Sequence, residues 1–334
     1  MPGTRFVNCL DRGRPPREWT PPVPVREHID TWYFGRALAA MDRELRIDGL
    51  TVYLTFDPER LPSYGDDVVA VLIGDEWARV PPYLTRVRAV FRNLCARPNL
   101  GCNPLAWPSA ATFSTLIPAM RAALRGAPDR IARMRDRGPA QIELPIGTYN
   151  VEDLPVVPFG ERGSDLFFAG SVIQTPGRSA RLKARVMPKG LSRDAMLRNV
   201  ERLRRHPELK PDVRVTAGFQ ESAAADASEY SRAMMNSRLA LVPRGATTET
   251  HRFFQALKYG CIVVTDSVPP IWFYEGAPMV RLRHWDELEE AVLPLLRDEV
   301  RLERLHRESL RWWETSCSEE AVGSLMAREL NARR

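Results

Sequence analysis

The chain has 334 residues, of which 44% are hydrophobic and 27% are charged, so it is long enough for two folded, soluble domains of ordinary size. The net charge of +6 is carried almost wholly by arginine. Basic residues are interspersed with acidic ones rather than clustered, which argues against a nucleic-acid-binding protein.

The cysteines and the N-terminal sequence bear on the compartment. The cysteines at positions 9, 95, 102, 261 and 317 form an odd set without a CxxC pair, which predicts free thiols in a reducing compartment and no zinc site. The N-terminal residues contain no apolar signal segment, and no apolar run approaches membrane-spanning length. The sequence therefore predicts a cytoplasmic protein without an integral membrane segment, although contact with a membrane surface stays open.

The first half of the chain alternates strands and helices. Apolar runs predict strands over residues 5–10, 50–56, 68–73, 87–94 and 141–146, and helical spacing predicts helices over 28–45 and 109–124. Residues 12–25 are rich in proline and arginine and predict a long loop. Such a loop either lines a site or is a surface excursion that tucks in Trp19, and the sequence favours neither alternative.

An acidic pair, Asp75 and Glu76, follows the strand predicted at 68–73. A carboxylate that faces a cleft between two domains can act as a general base and remove a proton from an acceptor hydroxyl. The alternative is that Asp75 caps the next helix, which is a common use of aspartate at such a position.

The second half repeats the alternation after a Pro- and Gly-containing segment, 148–161. Strands are predicted over 165–169, 212–217, 239–242, 261–265 and 279–282, and helices over 194–206, 224–237, 249–259, 285–296 and 300–330. We therefore expect an N-terminal domain over 1–155 and a second domain over 156–300. The C-terminal segment 301–334 is expected to pack back across both domains.

Residues 239–266 form a predicted strand, turn, helix and strand of a parallel sheet. In open α/β sheets, ligands bind outside the carboxyl ends of the strands. The free amides at the start of this helix suit a phosphate, and the hydroxyls of Thr247, Thr248 and Thr250 lie nearby in sequence. Arg252 would add a forked donor for phosphate oxygens. The alternative is that Arg252 pairs with Glu249 or with a neighbouring loop.

The same stretch carries a family-like pattern in the residues Thr250, Arg252, Phe253, Gln255, Ala256, Gly260, Cys261 and Val263. This pattern resembles the hallmark of exostosin-like glycosyltransferases, family 47 of the glycosyltransferases. The family has an acidic residue where this chain has Gln255, and a proline where it has Val263. Glutamine can still bond a ribose hydroxyl. The match covers well under a tenth of the chain.

Two other stretches are similar to the family. One is the Asp75–Glu76 pair with the run 90–93, and the other is the strand before Gly170 with the later pair Arg178–Ser179. The resemblance implies Asp75 and Glu76 as catalytic residues. It implies a donor-binding set of Gly170, Ser171, Arg178, Thr247, Thr248, Glu249, Thr250, Arg252 and Gln255. A solvated basic face is the alternative for Arg178 and the arginines at 181 and 185.

The resemblance also implies a fold and a reaction. The fold is α/β and GT-B-like, with two facing doubly wound Rossmann-like domains and a cleft between them. The reaction is metal-independent transfer of a sugar, with inversion, from a nucleotide-sugar donor to a saccharide or small-molecule acceptor, without a cofactor. Retaining enzymes of this type often carry two glutamates separated by seven other residues in the turn and helix, where this chain has Thr247 and Gln255, so the sequence disfavours a retaining reaction.

Two other functions stay open at this stage. One is a non-catalytic nucleotide- or sugar-binding protein of the same fold. The other is a nucleotide-dependent oxidoreductase, which is disfavoured because no GxGxxG motif follows the first strand. His251 is a second candidate for diphosphate contact or for the base. The sequence shows no partner for His28.

Overall fold

The structure is a computed structural model that describes residues 3–11, 13–25, 28–101, 110–125, 127–128, 131, 141–149, 153–172, 187–216, 223–245 and 247–333. The chain divides into two compact units. Unit 1 comprises Met1–Pro98, Ala119–Gly147 and Ser316–Arg334, and unit 2 comprises Asn99–Pro118 and Thr148–Thr315. Neither unit is continuous in sequence. A segment of unit 2 interrupts unit 1 at Asn99–Pro118, and the last residues of the chain, Ser316–Arg334, return to unit 1.

Unit 1 contains a six-stranded sheet. Its strands are β1 Arg5–Cys9, β2 Arg17–Glu18, β3 Thr51–Thr55, β4 Gly65–Leu72, β5 Val87–Arg92 and β6 Gln141–Glu143, in the order β2-β1-β3-β4-β5-β6. Every pairing is parallel except that of the short β2 with β1. We call the edge at which the parallel strands end the carboxyl edge.

Unit 2 contains a five-stranded, fully parallel sheet. Its strands are β7 Ser164–Ser171, β8 Pro211–Thr216, β9 Ser237–Leu241, β10 Ile262–Thr265 and β11 Met279–Arg281, in the order β11-β10-β9-β7-β8. This order is that of a doubly wound α/β fold, in which the chain winds first to one side of β7 and then to the other. The predicted α/β class is therefore confirmed.

Nine α-helices occur in the described residues. They are α1 Asp30–Glu44, α2 Ala110–Arg125, α3 Pro188–Leu203, α4 Ala223–Met235, α5 His251–Lys258, α6 Trp272–Glu275, α7 Leu288–Leu296, α8 Glu299–Trp312 and α9 Glu319–Asn331. No helix of the described residues is both long and apolar enough to cross a bilayer. Cys9, Cys261 and Cys317 are free thiols.

The central strands are buried on both faces, as a parallel sheet covered by helices requires. In unit 1, Val69 to Leu72 of β4 are fully buried, and in unit 2 Phe168, Leu239 and Val264 belong to one apolar cluster. Continuous β-branched and apolar runs of this kind cannot expose one face to water. This is why the sequence located these strands within a few residues.

The predicted helix over 300–330 is wrong in one respect, because it is interrupted. A π-helical turn, Trp313–Cys317, follows α8, and the hydroxyl of Ser318 then accepts from the amide of Ala321 at 3.2 Å and starts α9 as an N-cap. Helix α9 packs on α1 in unit 1, where Gly323 allows close approach to Ala37 and Ala40. The break divides the segment between the two units.

The segment 12–25, predicted as a loop, contains the two-residue strand β2. The indole of Trp19 donates to the carbonyl of Val23 at 2.6 Å, and the ring lies against Gly35 of α1. The indole thus closes the segment on itself and holds it to the first helix.

Candidate functional site

The carboxyl edge of unit 2 brings the end of β7 next to the start of α5. Strands β7 and β9 are neighbours, and the strand order reverses between them because β8 lies on the other side of β7. Ligands of open α/β sheets bind at such a reversal, outside the carboxyl ends of the strands. Helix α5 is the next element of the chain after β9, so its first turn is placed at this edge.

Thr250 and Arg252 fix the first turn of α5. Thr250 is the N-cap, since its hydroxyl accepts from the amide of Arg252 at 3.4 Å. The Arg252 guanidinium reaches to β7, where Nε donates to the carbonyl of Ala169 at 3.0 Å and the group lies 5.5 Å from the ring centroid of Phe168. Arg252 is thus held at the strand end rather than by an acidic neighbour in its own turn.

Gly170 provides the space for this guanidinium. A Cβ atom at Gly170 would collide with the Arg252 guanidinium. β7 ends one residue later at Ser171, whose backbone carbonyl accepts from Arg193. Gly170 and Ser171 therefore contribute to the site through their backbone, as a position of close approach requires.

Two cations that the sequence analysis did not select come from the first turns of α3. Arg193 is 3% exposed, donates to the Ser171 carbonyl and lies 6.0 Å from the ring centroid of Phe168. Its Nε has no hydrogen-bond partner among the described residues. Lys189 lies one turn earlier and is half-buried. The signal for this helix start is Pro188, because proline favours the first helical position.

Lys189, Arg193 and Arg252 repel one another, and we call them the cation cluster. Burial, followed by the charges of Arg193 and Arg252, lowers the pKa of Lys189 to about 8. Burial and the charge of Arg252 also lower the pKa of Arg193. None of the ion pairs formed by the described residues includes a member of the cluster. Desolvated like charges are unfavourable without a counter-ion, so this edge has the properties of an anion site.

The other predicted donor-binding residues of the turn mostly contact the protein itself. The Thr247 hydroxyl donates to the carbonyl of Glu249 at 3.2 Å, and the Thr248 hydroxyl, in a residue 6% exposed, donates to Oδ1 of Asn99 at 3.0 Å. Gln255 is 4% exposed. These contacts favour a role in shaping the turn over direct contact with a ligand.

Glu249 and His251 are also engaged within unit 2. A carboxylate oxygen of Glu249 accepts from the Tyr274 hydroxyl at 3.2 Å. The His251 ring stacks on Tyr149 with centroids 3.7 Å apart. Arg178, predicted to bind the donor, lies outside the described residues, as do the arginines at 181 and 185.

A buried carboxyl group follows β10 at the same edge. Oδ2 of Asp266 accepts from the Ser192 hydroxyl at 2.8 Å, and Ser192 accepts from the Trp285 indole at 2.9 Å. Within the described chain, the other oxygen of Asp266 has no partner, and burial raises the pKa of this carboxyl group. Helix α3 thus joins the cation cluster at β7 to a carboxyl group at β10.

In unit 1, Asp75 follows β4 and is held by an ion pair. Its carboxylate accepts from the Arg92 guanidinium at 3.2 Å, with both side chains fully buried, and from Nε of Arg79 at 3.0 Å. It also accepts from the backbone amide of Arg79 at 2.7 Å. Both oxygens of this carboxylate are therefore occupied by donors from neighbouring residues. The geometry therefore favours an anchoring role for Asp75.

Glu76, the second predicted catalytic residue, is exposed. The surrounding protein, followed by the charge of Asp75, raises the pKa of Glu76. A raised pKa makes a carboxylate a stronger base near neutral pH. Of the predicted acidic pair, only Glu76 therefore presents a carboxylate that can exchange protons with a ligand.

The fold and the site define a two-unit α/β protein with a cation cluster at the carboxyl edge of unit 2. The chain matches no protein-family model and no curated protein. Membership of the exostosin-like family therefore stays a prediction.

Several solved structures align with most of the chain, but at low sequence identity and low TM-scores. They include a GtfA/B complex, at 12% identity and a TM-score of 0.43, over 84% of this chain and 57% of that one. Another is a mutant of S. aureus TarM in complex with Fondaparinux, alpha-GlcNAc-glycerol and UDP, at 7% identity and a TM-score of 0.41, over 80% and 56%. A third is AviGT4, a glycosyltransferase involved in Avilamycin A biosynthesis, at 14% identity and a TM-score of 0.40, over 100% and 98%. The chain spans little more than half the length of the first two. All three TM-scores are too low to assign a family or an activity.

Proposed function

We propose that the chain is a glycosyltransferase that takes a nucleotide-sugar as donor and a saccharide or small-molecule hydroxyl as acceptor. The observation that carries this proposal is the cation cluster. Arg252 and Arg193 donate to backbone carbonyls at the carboxyl end of β7, Lys189 interacts electrostatically with both, and none of the three forms an ion pair with a described residue. The N-terminus of α5 adds its free amides at the same edge. A diphosphate, with charge on several oxygens, is the anion that such a spread of donors fits.

The cluster would act on the leaving group. When the bond from the anomeric carbon to the phosphate oxygen breaks, negative charge develops on the nucleoside diphosphate. Preorganised guanidinium and ammonium groups in a desolvated place stabilise that charge more than water does. In this proposal the chain itself supplies the positive charge for departure, so no step is routed through a metal or a cofactor.

The resemblance to exostosin-like enzymes supports inversion by a single displacement. The acceptor oxygen attacks the anomeric carbon, the bond to the diphosphate breaks, and the acceptor proton passes to a base of the chain. This scheme needs one base and no covalent nucleophile. We infer that the base is a side chain at the carboxyl edge of unit 1, where Glu76 lies. The free thiols fit the predicted cytoplasmic location.

The test is a binding panel with matched variants. Thermal shift and calorimetry with UDP-, GDP- and TDP-sugars, the free nucleoside diphosphates and NAD should show stabilisation by one nucleotide series. Arg252→Ala should weaken that binding at least tenfold, which corresponds to about 1.4 kcal/mol or more. Arg297→Ala is the control, because Arg297 is exposed and lies beyond α7.

Each outcome of this panel has a defined meaning. Unchanged binding by Arg252→Ala would contradict the diphosphate role of the cation cluster. A shift with NAD alone would favour an oxidoreductase. Tight nucleotide binding without release of nucleoside diphosphate from any nucleotide-sugar, with or without a mixed acceptor pool, would favour the non-catalytic alternative.

A further inference from the structure

A tyrosine of α4 approaches β7 from the face of the sheet opposite α3. Phe167 and Phe168 are consecutive in β7, so their side chains point to opposite faces. Phe168 belongs to the apolar cluster to which α3 contributes, and it lies next to the guanidiniums of Arg193 and Arg252. The Tyr230 ring meets the Phe167 ring edge-on, with centroids 5.3 Å apart. Helix α4, which carries Tyr230, packs on β7, β9 and α5.

The phenol group of Tyr230 lies close to two members of the cation cluster. Burial raises the pKa of Tyr230, while the charge of Arg252, a contact with its guanidinium and the charge of Arg193 act in the opposite direction. The phenol oxygen is buried, yet none of the described residues forms a hydrogen bond of ordinary geometry with it. A buried hydroxyl without a partner lowers the stability of a fold, so a group of this kind indicates a binding role.

The chemistry of the neighbours shows which part of the hydroxyl is unused. A guanidinium donates hydrogen bonds and never accepts them, so Arg252 and Arg193 can only donate to the phenol oxygen. The proton of the hydroxyl needs an acceptor from elsewhere, and within the described chain it has none. Nε of Arg193 is a second buried donor in the same situation. Two unused donors beside an excess of positive charge fit a ligand that accepts and is negatively charged, as phosphoryl oxygens do.

We propose that Tyr230 is a further ligand-binding residue of the anion site, and that its hydroxyl donates a hydrogen bond to a phosphoryl oxygen of the nucleotide-sugar. This inference rests on the proposed function. A fourth cation at this place would increase the repulsion within the ligand-free cluster. A phenol adds a directed donor without adding charge. The hydrogen bond strengthens as negative charge develops on the departing diphosphate, so the hydroxyl assists turnover as well as binding.

The competing explanation is that the chain itself supplies the acceptor and that the hydroxyl is structural. The substitution Tyr230→Phe separates the two roles, because it keeps the ring against Phe167 and removes only the hydroxyl. If the proton has no acceptor in the ligand-free chain, the substitution breaks no hydrogen bond and removes a buried polar group. The melting temperature of the ligand-free variant should then equal or exceed that of the parent chain.

The control is Tyr53→Phe in unit 1. The Tyr53 side chain is also buried, at 4% exposure, but its hydroxyl has a partner, Oγ of Ser63 at 2.8 Å. The substitution therefore removes the same atom from a place that is remote in the fold from β7 and where the hydroxyl is structural. Tyr53→Phe should keep the affinity of the parent chain and should not raise its melting temperature.

Isothermal titration calorimetry of the full chain measures the affinity for UDP, GDP, TDP and inorganic pyrophosphate, in buffers without phosphate or sulfate. We expect Tyr230→Phe to weaken binding of the preferred nucleoside diphosphate about tenfold or more, because the lost hydrogen bond is made to a charged group. Pyrophosphate binding should weaken by a similar factor, since the assigned contact is with a phosphoryl oxygen that both ligands carry.

Three results would overturn the inference. One is unchanged affinity of Tyr230→Phe for nucleoside diphosphate. Another is weaker nucleoside diphosphate binding with unchanged pyrophosphate binding, which would place the contact on the nucleoside. The third is a lower melting temperature of ligand-free Tyr230→Phe, which would assign the acceptor to the chain itself.

The proposed function can fail separately from this inference. If the parent chain binds diphosphates and Tyr230→Phe weakens that binding, but no nucleotide-sugar is turned over, the role of Tyr230 stands and the glycosyltransferase activity is refuted. If the parent chain binds neither pyrophosphate nor any nucleoside diphosphate, both are refuted.

Discussion

Replacing Lys189 by methionine tests the cation cluster through its dependence on pH. Methionine keeps the apolar stem and removes the charge, whose pKa burial and the charges of Arg193 and Arg252 lower to about 8. A bound diphosphate would supply the missing counter-charge and raise that pKa again. Binding should therefore be accompanied by proton uptake at pH 8 and above.

The size of the effect follows from the protonated fraction of the ligand-free chain. With a pKa of about 8, that fraction falls from about nine-tenths at pH 7 to about one-tenth at pH 9. If Lys189 stays protonated in the complex over this range, the association constant falls about tenfold from pH 7 to pH 9. The methionine variant should bind more weakly at pH 7 and lose this pH dependence.

The substitution Lys189→Met should raise the stability of the ligand-free chain, although it weakens ligand binding. A lysine whose pKa is lower in the folded state than in the unfolded state is destabilising wherever it is charged in both. Ligand-free Lys189→Met should therefore melt at a higher temperature than the parent chain at pH 7. The gain should shrink as the pH rises from about 8 toward the ordinary pKa of lysine. Higher stability combined with weaker ligand binding is characteristic of a binding residue.

Isothermal titration calorimetry with the preferred nucleoside diphosphate measures both affinity and proton uptake. Buffers of different ionisation enthalpy, without phosphate or sulfate, give the number of protons bound. The same titration of Lys189→Met gives the number of protons that the ligand itself takes up or releases, and this number is subtracted from that of the parent chain. Lys210→Met is the control, because Lys210 is exposed and precedes β8, at the opposite edge of the sheet. Equal pH dependence in the parent chain and in Lys189→Met would refute the assignment of Lys189 to the anion site.

Two further predictions concern the strand ends. Gly170→Ala should displace the Arg252 guanidinium, because the new Cβ would occupy its place, and should weaken nucleoside diphosphate binding about tenfold; Gly160→Ala, where a Cβ meets nothing within 4 Å, should have no effect in the same titration. Asp75→Asn should lower the free energy of unfolding by about 3 kcal/mol, measured by chemical denaturation, because it leaves the buried guanidinium of Arg92 without its counter-charge. Normal stability of that variant with lost turnover would restore Asp75 as the base.

The fold was largely predictable because its strands are unusually simple to recognise. Continuous apolar runs between turn residues can form only buried strands at this length, and the helix after β9 has both an N-cap threonine and a stopping glycine, Gly260, at φ +66°. Interruption of the last helix was not predictable from periodicity, because the apolar spacing continues through Trp313. A π-helical turn changes the hydrogen bonds without changing the composition.

The anion site was predictable only in part, because its members come from separate elements. The turn before α5 was recognised from its own residues. Lys189 and Arg193 precede that turn by more than fifty residues, and the first two turns of α3 lack the apolar stripe that marks a helix. Only the parallel pairing of β7 with β9 brings the two segments together.

An ion pair of unit 1 connects the acidic pair Asp75–Glu76 with the run 90–93. Asp75 follows β4, and Arg92 ends β5, the next strand of the sheet. The Arg92 guanidinium also donates to the backbone carbonyl of Asp75 at 3.3 Å and to that of Arg79 at 2.9 Å. One buried arginine thus fixes the turn after β4 from the neighbouring strand. Removal of either charge would leave the other buried and unpaired, so the pair is a structural requirement of this turn. The acidic pair in the sequence therefore divides into an anchor, Asp75, and an exposed carboxylate, Glu76, that this anchor holds at the carboxyl edge.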